Sequence, residues 1–216
     1  MQLTAAALWL NTVFAGFDQS VTAAVHQLYQ AAGGFLTPFM EFISFLGKDG
    51  IILVILSLLL MFFKKTRRFG TAMLFGVAIG ALFTNCFLKI VVARPRPYAD
   101  ENSFFYQLWL VMGQHVESDK SFPSGHTTAA FATMVPVFLV GNKKVSWTAL
   151  IFAFLMGLSR IYLVVHFPSD VLGGLIVGTI AGILGTLLSR KLPQRYFEAE
   201  LIKKRKRGAH ECSKDG

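Results

Sequence analysis

Residues 51–92 read IILVILSLLLMFFKKTRRFGTAMLFGVAIGALFTNCFLKIVV, two long apolar runs divided by Lys64, Lys65, Arg67 and Arg68. Each run approaches the roughly 20 residues that carry an α-helix across the hydrocarbon core of a bilayer. Neither alternates apolar and polar residues as the strands of a membrane barrel do. Without water, a backbone in lipid must hydrogen-bond within its own segment, so both runs are predicted to be helices. The two runs cover 46–63 and 69–92, and three more of the same kind lie at 123–141, 145–165 and 170–189.

Composition points the same way. Of 216 residues, 54% are hydrophobic, 15% are charged and 21 are Phe. The mean hydropathy is +0.54. A soluble domain of this length carries more charge and less apolar content. The fold class is therefore an all-α integral membrane protein, a helical bundle with five core transmembrane helices. The formal net charge of +9 could indicate nucleic acid in a soluble chain. Here the basic residues cluster between apolar runs, where topology accounts for them, and no nucleic-acid-binding motif is present. Cys86 and Cys212 lie far apart and define neither a disulfide framework nor a metal-thiolate spacing.

Orientation follows from the basic clusters. Lys64, Lys65, Arg67 and Arg68 separate the first two spans, Lys143 and Lys144 the third and fourth, and Arg190 and Lys191 come after the fifth. All three fall on one side, which the positive-inside rule makes cytoplasmic. The opposite side carries the loop 97–122, with Asp100, Glu101, Glu117 and Asp119 against Lys120. The expectation is a multi-pass plasma-membrane protein divided into an N-terminal segment 1–45, a catalytic bundle 46–190 and a basic cytoplasmic tail 191–216. The N-terminus lacks the basic start of a signal peptide and is read as mature chain. Segment 1–45 reads as interfacial helices packed on the bundle, or as a short tilted sixth span at 4–17. No Lys or Arg there decides between them. Lys203-Lys204-Arg205-Lys206-Arg207 reads as a solvated topogenic tail or as a contact for anionic headgroups.

Charges beside membrane spans cost free energy, so their depth is informative. Three groups reach the non-cytoplasmic face. Lys89 and Arg96 are seven residues apart, near two helical turns, and would share a face while helix persists. Two fixed cations suit a phosphate, or merely snorkel to the interface. Pro123-Ser124-Gly125-His126 opens the third span. Ser is a good N-cap, and the free amides of a first turn attract anions. His166 and Asp170 come after Ser159-Arg160 at the junction of the last two spans. A carboxylate beside a histidine can orient it as a nucleophile, and an Asp there also complements a helix dipole. A bound metal is disfavoured by the surrounding cations.

Lys89-x6-Arg96-Pro97, Pro123-Ser124-Gly125-His126 and Ser159-Arg160-x5-His166-x3-Asp170 together resemble the signature of the type 2 phosphatidic acid phosphatase family, over roughly residues 35–190. The resemblance implies that Lys89, Arg96, Ser124, Gly125 and Arg160 hold the substrate phosphate. It further implies that His166 attacks phosphorus, Asp170 orients it and His126 protonates the leaving oxygen. It implies no cofactor and no metal. The family also includes soluble vanadium haloperoxidases, against which five spans argue. The implied substrates are undecaprenyl diphosphate first, then phosphatidylglycerol phosphate or phosphatidic acid, with membrane lipids as the surroundings. A non-enzymatic lipid-phosphate carrier is the alternative from another class, and it would need neither histidine. Arg94 lies outside the signature as an accessory contact. Gly174, Gly178 and Gly182 recur every four residues as a helix-packing stripe. His26, Trp109 and His115 are read as interfacial anchors.

Overall fold

The computed structural model describes residues 3–198, so the basic run 203–207 lies outside the described residues. The described chain contains helices and connecting turns and no strand. The first span runs Thr37–Phe62, beginning at Thr37 rather than at residue 46. It consists of α3 (Thr37–Leu46) and α4 (Ile51–Phe62), joined by a short 3₁₀ turn at Lys48–Gly50. Asp49 and Gly50 there adopt φ of 53° and 68°. Asp tolerates this left-handed region through its short polar side chain, and Gly has no Cβ to clash. The kink turns both residues toward a cavity that Lys89 also lines.

The second span comprises α5 (Arg67–Ala81), a π-helical turn at Leu82–Leu88 and α6 (Lys89–Val92). The last two are α9 (Lys143–Tyr162) and α10 (Pro168–Arg190). Between them in space stands α8 (Gly125–Val140), buried continuously from Thr127 to Pro136. At 16 residues it is about 24 Å long, short of a hydrocarbon core of about 30 Å. Its neighbours α5, α9 and α10 surround it, so its ends need not reach the lipid surface. The N-terminus of α8 is consequently recessed inside the bundle.

Close approach to α8 depends on the glycine stripe of α10. A Cβ at Gly174 would meet Ser124 O at 2.7 Å, and one at Gly178 would meet Thr128 O at 2.6 Å. The core behind it gathers Ile43, Leu53, Met73, Val77, Phe131, Met134 and Met156. The outer faces of α4, α9 and α10 expose Ile55, Leu59, Phe154, Ile176 and Ile180. Such exposure suits a hydrocarbon solvent and not water.

The N-terminal helices α1 (Ala5–Val13) and α2 (Ala15–Ala31) pack on the bundle at the end where α6 finishes. Thr4 Oγ1 donates to Val92 O at 2.5 Å. Helix α7 (Phe104–Val111) lies in the loop at the same end. At the opposite end, α11 (Gln194–Glu198) meets the α4–α5 turn, where Arg67 donates to Tyr196 O and Arg68 to Gln194. The turn between α8 and α9 is also there, since a Cβ at Gly141 would meet Phe69 at 3.4 Å. The basic turns and the three charged groups thus occupy opposite ends of the bundle.

Candidate active site

The two cations of the first group converge, although not by sharing a helical face. Helix α6 ends at Val92, and Ala93 takes a left-handed φ of 48°. Pro95 disfavours helix at the residue before it, so the chain from Arg94 onward leaves the helix. Arg96 is extended, with ψ of 158°. The segment folds back under Lys89, and both side chains reach one cavity of about 280 Å³. Gly125, His126 and His166 line the same cavity, with Asp49 and Gly50 on its wall.

His166 presents a defined nitrogen to this cavity. Arg96 Nη1 lies 3.0 Å from His166 Nε2 and also donates to Val165 O at 2.7 Å. A guanidinium can only donate, so Nε2 must be the unprotonated acceptor and Nδ1 carries the hydrogen. Nδ1 is buried without a hydrogen-bond partner and faces Asp170 Oδ2 at 3.6 Å. Arg96, not Asp170, therefore sets the tautomer in this state. Burial, and then the charges of Arg96, Arg160 and Lys89, hold the His166 pKa well below the ordinary imidazole value. The ring is neutral at neutral pH, and its Nε2 accepts from Arg96 in a cavity that Lys89 also lines.

Ser124 is the N-cap of α8, as its residue type predicts, but its Oγ accepts from Thr127 Oγ1 at 3.0 Å and it is buried beside the cavity. Lys89 Nζ would lie 3.4 Å from a Cβ at Gly125, so a side chain there would crowd the ammonium. Arg160 is displaced from Lys89 and Arg96. It lines a second cavity of about 280 Å³ with Lys48, His115, Glu41 and Glu117. His126 lines both cavities. Asp170 lies behind His166 and lines neither. Pro168 opens α10, and Asp170 Oδ2 accepts from Phe167 N at 3.0 Å, so the carboxylate also caps its own helix.

The sequence reading missed who occupies the cations. Asp119 forms ion pairs with both Lys89 and Arg96, and its backbone O accepts from Arg96 Nε at 3.0 Å. Glu117 pairs with Arg160, whose Nη1 donates to Ser44 Oγ. The loop is pinned by Tyr98, whose hydroxyl accepts from Glu117 N at 2.9 Å. Burial would raise the Asp119 pKa, but the hydrogen bond from Lys89 and the charges of Lys89 and Arg96 hold it lower than usual. Acidic residues in a loop facing basic ones were the available signal. His115 pairs with Glu41 at 3.2 Å, and Trp109 Nε1 donates to His115 O at 2.7 Å, so both help shape the second cavity. Gly47 was also missed. A Cβ there would meet Met156 Sδ at 2.5 Å and His126 Cδ2 at 3.0 Å, so the glycine leaves room for both side chains.

A neutral imidazole nitrogen between fixed cations, recessed in a multi-pass helical bundle, is the equipment of a membrane enzyme that transfers phosphoryl groups. The chain belongs to the PAP2 superfamily, whose profile matches residues 69–193. It is 33% identical over 150 residues to undecaprenyl-diphosphatase BcrC of Bacillus subtilis, covering 69% of this chain and 72% of that one. It is also 33% identical over 192 residues to phosphatidylglycerophosphatase B of Bacillus subtilis, covering 82% and 85%. The crystal structure of a transmembrane PAP2-type phosphatidylglycerolphosphate phosphatase from Bacillus subtilis matches with a TM-score of 0.65 and 27% identity. That match covers 88% of this chain and 92% of the other. The protein is a PAP2-type lipid phosphatase.

Proposed function

We propose that the chain hydrolyses a lipid diphosphate, undecaprenyl diphosphate, to the monophosphate through a phosphohistidine on His166, without a metal, at the extracytoplasmic face. The observation that carries the chemistry is His166 Nε2, unprotonated and facing the cavity beside Arg96 and Lys89. The Nε2 lone pair, released as Arg96 turns from it to the phosphoryl oxygens, forms the N–P bond while the bond from phosphorus to the bridging oxygen breaks. Its electron pair stays on the leaving oxygen, which takes a proton from His126, made cationic when the substrate's negative charge joins Lys89, Arg96 and Arg160. Water then forms the new P–O bond, gives a proton back to His126, and the N–P pair returns to Nε2. Lys89, Arg96 and Arg160 offset charge on the phosphoryl oxygens, Ser124 and the Gly125 amide add hydrogen bonds, and Asp170 steadies the ring.

The preference for a diphosphate rests on the second cavity. His126 separates it from the first, so a leaving group protonated by His126 departs toward Arg160 and Lys48. A leaving group that itself carries phosphate complements Lys48 and can replace Glu117 on Arg160. The outward orientation is supported by the basic turns at the far end of the bundle. Phosphatidylglycerol phosphate is the second reading, favoured by a relative of equal identity that matches more of the chain.

The test is phosphate release by purified protein in detergent across a panel of lipid mono- and diphosphates, with EDTA present. Undecaprenyl diphosphate should be the best substrate. His166→Ala should lower release by about 10⁴-fold or more. Retained activity in that variant would sink the nucleophile assignment, and loss in EDTA restored by a divalent ion would sink the metal-free one.

A further inference from the structure

Arg94 lines neither cavity, yet it is 1% exposed and fully engaged. Its Nη1 donates to Asp170 Oδ1 at 2.6 Å and to Ser169 Oγ at 2.7 Å. Its Nη2 donates to Asp18 Oδ2 at 2.9 Å, and its Nε to Asn11 Oδ1 at 2.8 Å. The guanidinium stacks 4.0 Å from the Phe167 ring centroid. Asp18, on α2, closes the ring by accepting from Ser169 N at 2.7 Å and Ser169 Oγ at 2.8 Å. Asp18 and Asp170 are as buried as Arg94, at 2% and 0% exposed.

Burying three ions costs several kcal/mol per ion before their attraction is counted, and apolar side chains could fill such a space more stably. Only Asp170 of the three lies against His166, at 3.6 Å, and Arg94 and Asp18 reach the ring through it. We propose that Arg94 and Asp18 are positioning residues for phosphoryl transfer, acting through Asp170 to orient and balance the charge on His166. The proposal rests on the assignment of His166 as nucleophile.

The charge count gives the mechanism. With both carboxylates ionised by their shared guanidinium, the trio carries a net charge of −1. His166 becomes cationic when phosphorus bonds to Nε2 while Nδ1 keeps its hydrogen. The surplus negative charge lies where that positive charge develops, 3.6 Å from Nδ1 at Asp170 Oδ2. Without the Asp18 carboxylate, Arg94 would be neutralised by Asp170 alone and the surplus would vanish. Oδ2 is also held by Ser121 Oγ at 2.5 Å, so the carboxylate cannot simply swing toward the ring. Through Asp18, α2 becomes part of the catalytic apparatus.

The experiment uses the full-length protein in detergent and the variants D18N, D170N, D18N/D170N and N11A. The D18N substitution keeps the shape of the Asp18 side chain and removes its charge. Asn11 touches the same guanidinium without charge, so N11A controls for packing. D18N should lower kcat by about ten- to a hundredfold with KM within about threefold, while N11A stays within about threefold. Because Asp18 acts through Asp170, the double variant should be no worse than D170N within about threefold. Wild-type kcat in D18N, or a double variant reduced by the product of the two single effects, would overturn the proposal. If D18N also lowers the thermal midpoint, the double variant still decides, since a purely structural loss multiplies with D170N. A second readout needs no turnover. The ¹⁵N shifts of the His166 ring, assigned with His166→Gln, should move in D18N and stay put in N11A. Unchanged shifts in D18N would overturn the proposal even if the wild type hydrolysed none of the lipids tested, an outcome that would count against the proposed function separately.

Discussion

Asp119→Asn replaces the carboxylate that pairs with Lys89 and Arg96 by a neutral side chain of the same shape. On the proposed function a substrate phosphate needs those same donors, so it must displace Asp119 in order to bind. Two unit charges about 4 Å apart attract by about 4 kcal/mol at an effective dielectric of 20. The Asp119 side chain is 46% exposed, and exposed pairs retain only about 0.2–1 kcal/mol each. Two such pairs give about 0.4–2 kcal/mol, or about two- to thirtyfold in affinity. Asp119 is held ionised below the usual carboxylate range, so the competition persists at every pH near neutrality. The assay is competitive inhibition of phosphate release by orthovanadate, with substrate KM measured alongside. The inhibition constant should fall by the stated factor in Asp119→Asn, and the gain should shrink in high salt, which screens the half-exposed charge. An inhibition constant that rises or does not change would refute the reasoning, because Asp119 would then be assisting the anion or standing outside its seat.

Four further outcomes are expected. On the proposed mechanism His166 must be neutral to attack, and its pKa is depressed, so kcat/KM should hold as pH falls through about 6.5 and collapse only below it. Lys89→Gln removes one depressing cation, so its acid limb should move to higher pH, and a limb that stays or moves lower contradicts the assignment. Gly185→Ala would bring a Cβ to 2.4 Å from Gly76 N, forcing α5 and α10 apart at a cost of about 3 kcal/mol. Its thermal midpoint in detergent should fall clearly below that of Gly16→Ala, since Gly16 has nothing within 4 Å. Single cysteines placed at positions 115 and 66 of a cysteine-free chain should label from opposite sides of intact cells, the first from outside.

The spans and the three charged groups were legible because their signals are local. Each span is a continuous apolar run, and each group is a set of costly charges beside one. The geometry joining the groups was less legible. Lys89 and Arg96 meet through the left-handed turn at Ala93, and no periodicity encodes a turn adopted by an alanine. The acidic seat was hidden for a different reason. Loop charges read as solvated until the chain is closed, and only closure brings Asp119 onto Lys89. Asp18 was nearer to being legible. It is the one Asp, Glu, Lys or Arg before Glu41, in a segment otherwise apolar and neutral. Such a residue is costly to bury without a partner, and Arg94, outside the signature and read only as an accessory contact, was the cation available to it.

The π-helical turn at Leu82–Leu88 carries a consequence for how this chain can change. A π turn holds about one residue more than an α turn, and each residue of a helix rotates the chain beyond it by about 100°. Deleting a residue from 82–88 would leave a span just as apolar and nearly as long, and it would still insert. Lys89, however, would point away from Arg96 and His166, toward the core or the lipid. The bundle therefore tolerates gaps in this segment that its chemistry does not. Two related chains that differ here by a single residue could share a fold and a hydropathy profile while only one of them keeps its cation in place.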